Sequence, residues 1–338
     1  MTQNTELAIA MDWGGTWARA AVIDRGGEIL WQSRAANALG AASARLLADA
    51  RFLLEEAISW CGERPVAGLG IAVAGPVDAE TGVLHEPPNL RPLDGVSLKD
   101  LWQPLIGAPV WVGNDANMAA LGEFYHGAGR DLSQEGEEGR PPRTLVYLTV
   151  STGIGGGVVS RGDIFLGSRG LAGEVGHMSI DWSPGAPPCQ CGSKGCLEAL
   201  ASGTAIAVAA RDRLAGREWP GSTIAAGRAD AITSESVFQA ASLGDALALS
   251  ILEEVVQALS VGLGNVLHLY NPDLVVLGGG VTTGFVQLGL LPRIESLTRE
   301  RAMTRLHNDF RLLPAKLGDA AGLVGAATQV WQGLGPGP

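Results

Sequence analysis

Leu7-Ala8-Ile9-Ala10-Met11-Asp12-Trp13-Gly14-Gly15-Thr16-Trp17-Ala18-Arg19-Ala20-Ala21-Val22-Ile23 holds the pattern on which the architecture turns. Leu7–Ala10 is a short apolar run, as a buried strand requires. Asp12-Trp13-Gly14-Gly15-Thr16 interrupts it, Ala18–Ile23 resumes as a second strand, and Asp24–Gly27 turns the chain. The same device recurs mid-chain. Thr144–Val150 reads as a strand, Ser151-Thr152-Gly153-Ile154-Gly155-Gly156-Gly157 breaks it, and Val158-Val159-Ser160 resumes before Arg161-Gly162. Strand, Gly/Thr turn, strand is therefore an internal repeat that opens each half of the chain. In a dinucleotide fingerprint or a P-loop the glycine turn feeds a helix. Here it feeds a strand, so each loop is the tip of a hairpin, and no G-x-x-x-x-G-K-[ST] occurs in the sequence. Successive glycines let backbone N–H groups approach an anion closely. Paired with Asp12 and with the second copy, the turns read as phosphate loops; taken alone, Gly14-Gly15 suits a plain hairpin turn equally well.

Outward from these turns, helices alternate with strands. Ala41–Trp60 has amphipathic helical spacing, Val66–Ala74 is a strand ending at Gly75-Pro76, and Val110–Val112 is a short strand. That strand delivers Gly113-Asn114-Asp115-Ala116-Asn117 to its carboxyl end, where a helix follows over Met118–Tyr125. Gly127–Arg143, rich in Gly, Pro and charge, is expected to be an exposed, mobile loop. Helices are expected over Glu198–Leu214, Ala246–His268 and Ala320–Trp331, and a buried strand over Leu274–Leu277 before Gly278-Gly279-Gly280. The alternation specifies an α/β protein whose sheets are covered by helices.

Bulk composition narrows the function. With 338 residues the chain has room for two domains. It carries 24 basic against 35 acidic side chains, a net charge of −11, and no basic run, which argues against a nucleic-acid surface. The amino-terminal residues lack the pattern of a signal peptide, and no uninterrupted apolar run reaches the roughly 20 residues of a membrane span. Reduced thiols and the absence of a secretion signal give a cytoplasmic expectation.

Glu174-Val175-Gly176-His177 followed by Cys189-Gln190-Cys191-Gly192-Ser193-Lys194-Gly195-Cys196-Leu197-Glu198 places one His and three Cys within a short loop. His177, Cys189, Cys191 and Cys196 make a closed, tetrahedral Cys3His set for a structural Zn²⁺. Full occupancy by protein ligands argues against catalytic zinc, which needs an open position. Small core residues or disulfides are alternative uses of these cysteines, and His177 alone also fits a satisfied polar residue. The fourth cysteine, Cys61, is remote, and a disulfide framework lacks a secretory context. Glu174 and Glu198 flank the ligands and are left to accept hydrogen bonds from a polyol.

Asp12 at a phosphate turn is repulsive unless a cation intervenes, which points to Mg²⁺. Asp115, at the end of its strand, is placed to take a proton from an attacking hydroxyl, although an Asx-turn or helix N-cap is the local alternative. Asn114 adds a hydroxyl-binding amide. The Leu277–Gly280 turn permits a base or ribose to lie against backbone.

Asp12–Thr16, Gly75-Pro76-Val77-Asp78, Pro88-Asn89-Leu90, Asn114-Asp115, Thr152–Gly157, Glu174–His177, Cys189–Glu198, Asn271–Val281 and Leu317–Ala326, in this order, resemble the ROK family (repressors, open reading frames and sugar kinases), its glucokinase-like members in particular. The resemblance implies an actin-like ATPase fold (ribonuclease H-like motif) of two α/β domains around a cleft: residues 1–118 with the carboxy-terminal helix 319–335, and residues 119–318 with the zinc loop. It implies that Asp115 is the general base and that Asn89, Asn114, Asp115, Glu174, His177 and Glu198 bind sugar, His177 using its second ring nitrogen for zinc. It implies that Asp12, Gly14, Gly15, Thr16, Thr152 and Gly153 face phosphate and Mg²⁺, with Gly278 and Gly279 near the nucleoside. ATP is the favoured donor with polyphosphate as the alternative, a hexose the implied acceptor, and a homodimer or higher homo-oligomer the implied assembly. Glucose is the favoured hexose, with N-acetylmannosamine, N-acetylglucosamine, fructose, mannose and allose as alternatives. A sugar-responsive regulator is disfavoured, because only eleven residues precede Asp12. Two positions depart from the family pattern: Trp17 stands where Lys is frequent, and Ser151-Thr152-Gly153 replaces Gly-Thr-Gly.

Overall fold

The computed structural model describes residues 6–37, 40, 42–134, 141–216, 219–224 and 231–335. Among the described residues, ten strands form two five-stranded sheets. The first contains β1 (Leu7–Trp13), β2 (Trp17–Ile23), β3 (Ile29–Ala36), β4 (Val66–Val73) and β5 (Val110–Asn114), in the order β3-β2-β1-β4-β5. The second contains β6 (Thr144–Val150), β7 (Ile154–Ser160), β8 (Asp163–Ile164), β9 (Leu274–Gly278) and β10 (Arg311–Pro314), in the order β10-β9-β6-β7-β8. Read from its other edge, the second order is the first with each strand number raised by five. The repeat seen in the sequence is thus a repeat of whole sheets. In the first, β1–β2–β3 are antiparallel while β4 and β5 run parallel to β1. Both sheets are mixed and helix-covered, so the α/β expectation holds.

The helices are α1 (Ser43–Cys61), α2 (Leu98–Ile106), α3 (Asp115–His126), α4 (Ala128–Gln134), α5 (Leu197–Ala201), α6 (Gly203–Gly216), α7 (Ser234–Ser242), α8 (Ala246–Tyr270), α9 (Gly280–Gln287), α10 (Leu291–Arg299) and α11 (Ala321–Gly333). The chain divides into two compact units. One comprises residues 1–145, 157–173 and 316–338, the other residues 146–156 and 174–315.

In the first unit, the period of two along β1 sorts side chains by size. Leu7, Ile9, Met11 and Trp13 pack against Leu46, Ala50, Leu53, Leu54 and Ala57 of α1. Ala8 and Ala10 face the other way, onto Leu323, Val324, Ala326, Ala327 and Val330 of α11. Small residues on that face let α11 approach closely: a methyl on Gly70 would collide with the backbone carbonyl of Ala326. Asp12 continues the small-residue register of β1, which points its carboxylate to the α11 face.

In the second unit, α8 is long and apolar enough to cross a membrane by length and composition, with mean hydropathy 1.6 over the qualifying window. More than half of that window is buried, its apolar side chains packed among α5, α6, α7 and α10. That is how a central core helix of an α/β unit reads.

Three expectations need correction. Gly127–Arg143 is not a loop throughout, since Ala128–Gln134 forms α4. The buried Glu123 carboxylate accepts the Ala128 N–H at 2.9 Å and so anchors the start of α4; residues 135–140 lie outside the described residues. The helix expected over Glu198–Leu214 is broken at Ser202, because the Gly203 N–H leaves the helical ladder and donates to the Ser151 carbonyl at 2.7 Å. The second glycine turn is shorter than its composition suggests: β7 already starts at Ile154, leaving Ser151–Gly153 as the connection.

Candidate functional site

The candidate residues fall into two sets, one in each unit. In the first unit they gather at the carboxyl ends of parallel β1, β4 and β5, the edge where open α/β sheets bind ligands. Register places Asp12 and Trp13 of β1 beside Ala72 and Val73 of β4, and Val73 beside Asn114 of β5. The first turn closes with the Gly14 N–H donating to the Trp17 carbonyl at 3.0 Å. The Asn37 side chain donates to the Gly14 carbonyl at 2.6 Å, and the Asn37 N–H to the Thr16 carbonyl at 2.8 Å. The turn's carbonyls are thereby engaged from behind. Gly15 needs to be glycine here, because a methyl would come 2.8 Å from Cβ of Asn89. That contact brings Asn89 to the first glycine turn, although the two are far apart in sequence.

Asp12 is buried, at 8% exposure, and is held by two features. Arg19, its cross-strand partner, places Nη2 3.2 Å from Asp12 Oδ2. The start of α11 also abuts it: a methyl on Gly322 would lie 3.2 Å from the Asp12 carboxyl carbon. Burial raises the Asp12 carboxyl from its ordinary value, Arg19 opposes that rise, and Asp319 adds to it. A buried carboxylate with one lateral cation is a fit donor for a hard divalent ion.

Asn114 is the N-cap of α3. Its Oδ1 accepts the N–H groups of Ala116 at 2.9 Å and Asn117 at 3.3 Å, and its amide reaches the Gly75 carbonyl at 3.4 Å. The side chain expected to hold a hydroxyl thus also fixes the strand-to-helix corner. Asp115 is the first helical residue, and its Oδ1 accepts the Ala116 N–H at 2.9 Å. Capping falls to Asn114, which leaves the Asp115 carboxylate half-buried at the helix N-terminus, a setting that favours its charge. Gly75, at φ 137°, packs against Pro87 and so ties this corner to the Pro87–Asn89 segment.

In the second unit, Ser151–Gly153 is closed by the Ser151 N–H donating to the Gly153 carbonyl at 2.9 Å. Thr204, at the start of α6, donates its hydroxyl to the Thr152 carbonyl at 2.8 Å. Glu198 of α5 joins this turn to the cysteine loop. Its Oε2 accepts the Ile154 N–H at 2.8 Å, and its Oε1 lies 3.7 Å from Cys189 Sγ. Gly153 packs directly on that carboxylate: a methyl there would come 2.5 Å from Oε2.

The donor atoms of His177, Cys189, Cys191 and Cys196 all lie within 4.8 Å of one another. His177 Nδ1 is 3.7 Å from Cys189 Sγ, and Cys191 Sγ is 3.7 Å from Cys196 Sγ. Nδ1 faces the thiols, which leaves Nε2 on the opposite edge of the ring. The loop is built for this convergence. The Cys189 N–H donates to the Ser193 carbonyl, and Gly195, at φ 65°, sits where a side chain would strike the Asp181 backbone. Burial pushes the Cys189 thiol up to about 12 and raises Cys196 as well. Three thiols and an imidazole converging in this way suit a soft or borderline cation, whose charge reverses the penalty on thiolates. Glu174 stands beside this cluster. Desolvation raises its carboxyl, His177 lowers it and Glu198 raises it, so the three groups lie within electrostatic reach of one another.

Gly278 ends β9 and Gly279 caps α9. Both positions exclude a Cβ: Gly279 has φ 86° and packs on the Val150 carbonyl, and Gly278 packs on the Tyr147 hydroxyl. Sequence reasoning named these glycines and missed their neighbours. Arg19 and Asn37 are the residues it overlooked, and only the alternation of β2, which puts Arg19 opposite Asp12, signals the first.

A model of the ROK family matches residues 8–332. A glucokinase of Halalkalibacterium halodurans is 32% identical over 329 residues, covering 96% of this chain and 94% of that protein. A putative xylose repressor of Caldicellulosiruptor is 30% identical over 332 residues, covering 98% of this chain and 79% of that protein. The crystal structure of a ROK family glucokinase from Streptomyces griseus in complex with glucose and AMPPNP aligns with a TM-score of 0.75 at 30% identity, over 96% of this chain and 99% of that one. The architecture is therefore that of the actin-like ATPases. Since the match runs from the first strand into the last helix, the chain belongs to the ROK family.

Proposed function

We propose that the protein is an ATP-dependent hexose kinase that transfers the γ-phosphoryl group to a sugar hydroxyl, with glucose as the favoured acceptor. The observation that carries this reading is the arrangement in the first unit. A carboxylate at a glycine turn, Asp12, and a carboxylate at a helix N-terminus, Asp115, share one carboxyl edge of the sheet. The glucose and AMPPNP bound by the Streptomyces griseus relative support both ligand classes.

In this reading Asp115 accepts the hydroxyl proton as the oxygen attacks phosphorus. Asn89 and Asn114 orient the sugar, and Glu174, His177 and Glu198 hold its remaining hydroxyls. Gly14, Gly15, Thr16, Thr152 and Gly153 present backbone and hydroxyl donors to the phosphates, while Gly278 and Gly279 leave room for the nucleoside. Asp12 is the residue that would hold Mg²⁺, which when bound neutralises phosphate charge. His177, Cys189, Cys191 and Cys196 would hold Zn²⁺, a structural staple that fixes the His177 ring for the sugar. A cytoplasmic homodimer is the accompanying expectation.

The xylose-repressor relative favours a second reading, a sugar-responsive regulator that binds sugar without turning it over. A coupled ADP-release assay with Mg-ATP separates the two. Glucose, mannose, fructose, allose, N-acetylglucosamine and N-acetylmannosamine should be offered to as-purified and zinc-stripped protein. Turnover on one sugar, lost on stripping, is the expected result. Sugar binding without turnover on any of them would overturn the kinase reading in favour of the regulator.

A further inference from the structure

The first turn, Gly14–Thr16, contains no lysine, and the cation fixed beside it is Arg19. Three observations bear on what this guanidinium is for. Its two terminal nitrogens are assigned: Nη2 lies 3.2 Å from Asp12 Oδ2, and Nη1 donates to the Asp319 carbonyl at 2.8 Å. Its Nε is buried and has no partner among the described residues. A buried N–H without an acceptor destabilises a fold unless something else supplies one.

The side chain is also reachable, with 32% of its surface open. Finally, Arg34 is its direct cross-strand partner on β3. Like charges opposite each other in a sheet are unfavourable. Trp17, two residues before Arg19 and on the same face of β2, draws Arg34 aside by stacking under its guanidinium, 4.6 Å from the ring centroid. A guanidinium fixed beside a glycine turn with a third of its surface open, and a second arginine opposite it in the sheet, suit an anion there. A planar fork suits a phosphate, since it can hold Asp12 and an anion at once where a point charge cannot.

We propose that Arg19 contacts a phosphate oxygen of the phosphoryl donor at the Gly14–Thr16 turn while keeping Asp12 in place. The inference rests on the kinase reading above and adds to it the group that binds donor phosphate. The test is calorimetric titration of the full chain with adenosine, ADP and AMPPNP, in Mg²⁺ buffer, for wild type, Arg19→Ala and Arg19→Lys. Arg19→Ala is expected to weaken ADP and AMPPNP by roughly 10- to 100-fold, the size of a charge-assisted hydrogen bond, with adenosine unchanged. Arg19→Lys recovers part of the loss. A residue that merely keeps Asp12 placed for Mg²⁺ would cost affinity only through the metal, so a loss that disappears when the ADP titration is repeated in EDTA overturns the inference, as does equal weakening of adenosine. Unchanged binding of ADP and AMPPNP to Arg19→Ala overturns it too. If Arg19→Ala does not fold, Arg19→Lys decides alone: it keeps Asp12 paired but lacks the fork, so ADP and AMPPNP must weaken relative to adenosine. Wild-type protein that binds neither ADP nor AMPPNP would remove the kinase reading itself, and the inference with it.

Discussion

The two glycine turns occupy equivalent places in two sheets of the same strand order, yet they are built from different chemistry. The turn after β1 is charged, with Asp12 buried beside Arg19 and the head of α11 behind it. The turn after β6 has no charge of its own. It is tied down by neutral hydrogen bonds from Gly203 and Thr204, and its one carboxylate partner, Glu198, reaches in from α5 toward the cysteine loop. The two sheets therefore share a backbone plan and differ in side-chain chemistry. The first turn carries a part-buried ion pair, while the second fixes amides and links them to the thiol cluster.

The sharpest way to break this division is at the carboxylates of the first unit. Asp115→Asn is expected to lower kcat by roughly 10²- to 10⁴-fold, the usual weight of a general base. The fold should survive, since Asn114 and not Asp115 caps α3. Steady-state kinetics with a melting curve would check both, and a near-normal kcat would refute the assignment. Next in size, Asp12→Asn should lower kcat/KM by about 10²- to 10³-fold and raise the Mg²⁺ concentration needed for half-maximal rate. The matching change at the neutral turn, Thr152→Val, should stay within about tenfold, as expected for a neutral hydrogen bond. Equal losses at the two turns would erase the contrast.

Cys191→Ala tests the link from the second turn to the thiol cluster. Metal content by mass spectrometry should fall, and the sugar KM should rise by about 10- to 100-fold, the typical effect of disturbing a site's supporting shell. Metal-free protein with unchanged sugar KM would detach zinc from function. The smallest effect on catalysis is expected at Asp245, a carboxylate of the second unit remote in sequence from both turns. Burial pushes its carboxyl up, but hydrogen bonds from Ala248, Ser222 and Thr223 more than offset this and hold it below its ordinary 3.8. Such a depressed acid stabilises the fold above its unfolded pKa and loses that contribution as pH falls through the folded value. Asp245→Ala should thus cost about 1–2 kcal/mol as a lost N-cap, leave kcat intact, and flatten the acid limb of a stability-against-pH curve.

Much of this was readable in the chain, for reasons tied to burial. Strands such as Thr144–Val150 and Leu274–Gly278 are almost wholly inside, so their apolar runs announce them. β3 went unnoticed because it alternates between half-buried and exposed, and its Gln32, Ser33 and Arg34 look like a loop. The break at Ser202 was hidden for a different reason. The break sits at Ser202-Gly203-Thr204, where Ser202 Oγ accepts the Ala205 N–H at 3.1 Å as a cap for α6, but the Ser151 carbonyl that takes the Gly203 N–H is distant in sequence. At the candidate site, turns and ligands carry their own signatures in Gly, Cys and His. Partnerships across strands do not, so Arg19 surfaces only once register is known.

α11 carries a consequence for how this molecule is made. The turn just before it and its own end contact the amino-terminal half: Arg19 donates to the Asp319 carbonyl, and Gln332 donates to the Gly162 carbonyl at 2.7 Å. The first sheet is translated first, but its alanine face stays uncovered until Ala321–Gly333 leave the ribosome. Every residue of the second unit is by then already synthesised. The unit that begins the chain is therefore the one that finishes folding, and a message cut short before residue 321 would yield a nascent chain with its second unit complete and its first left for chaperones and proteases to find.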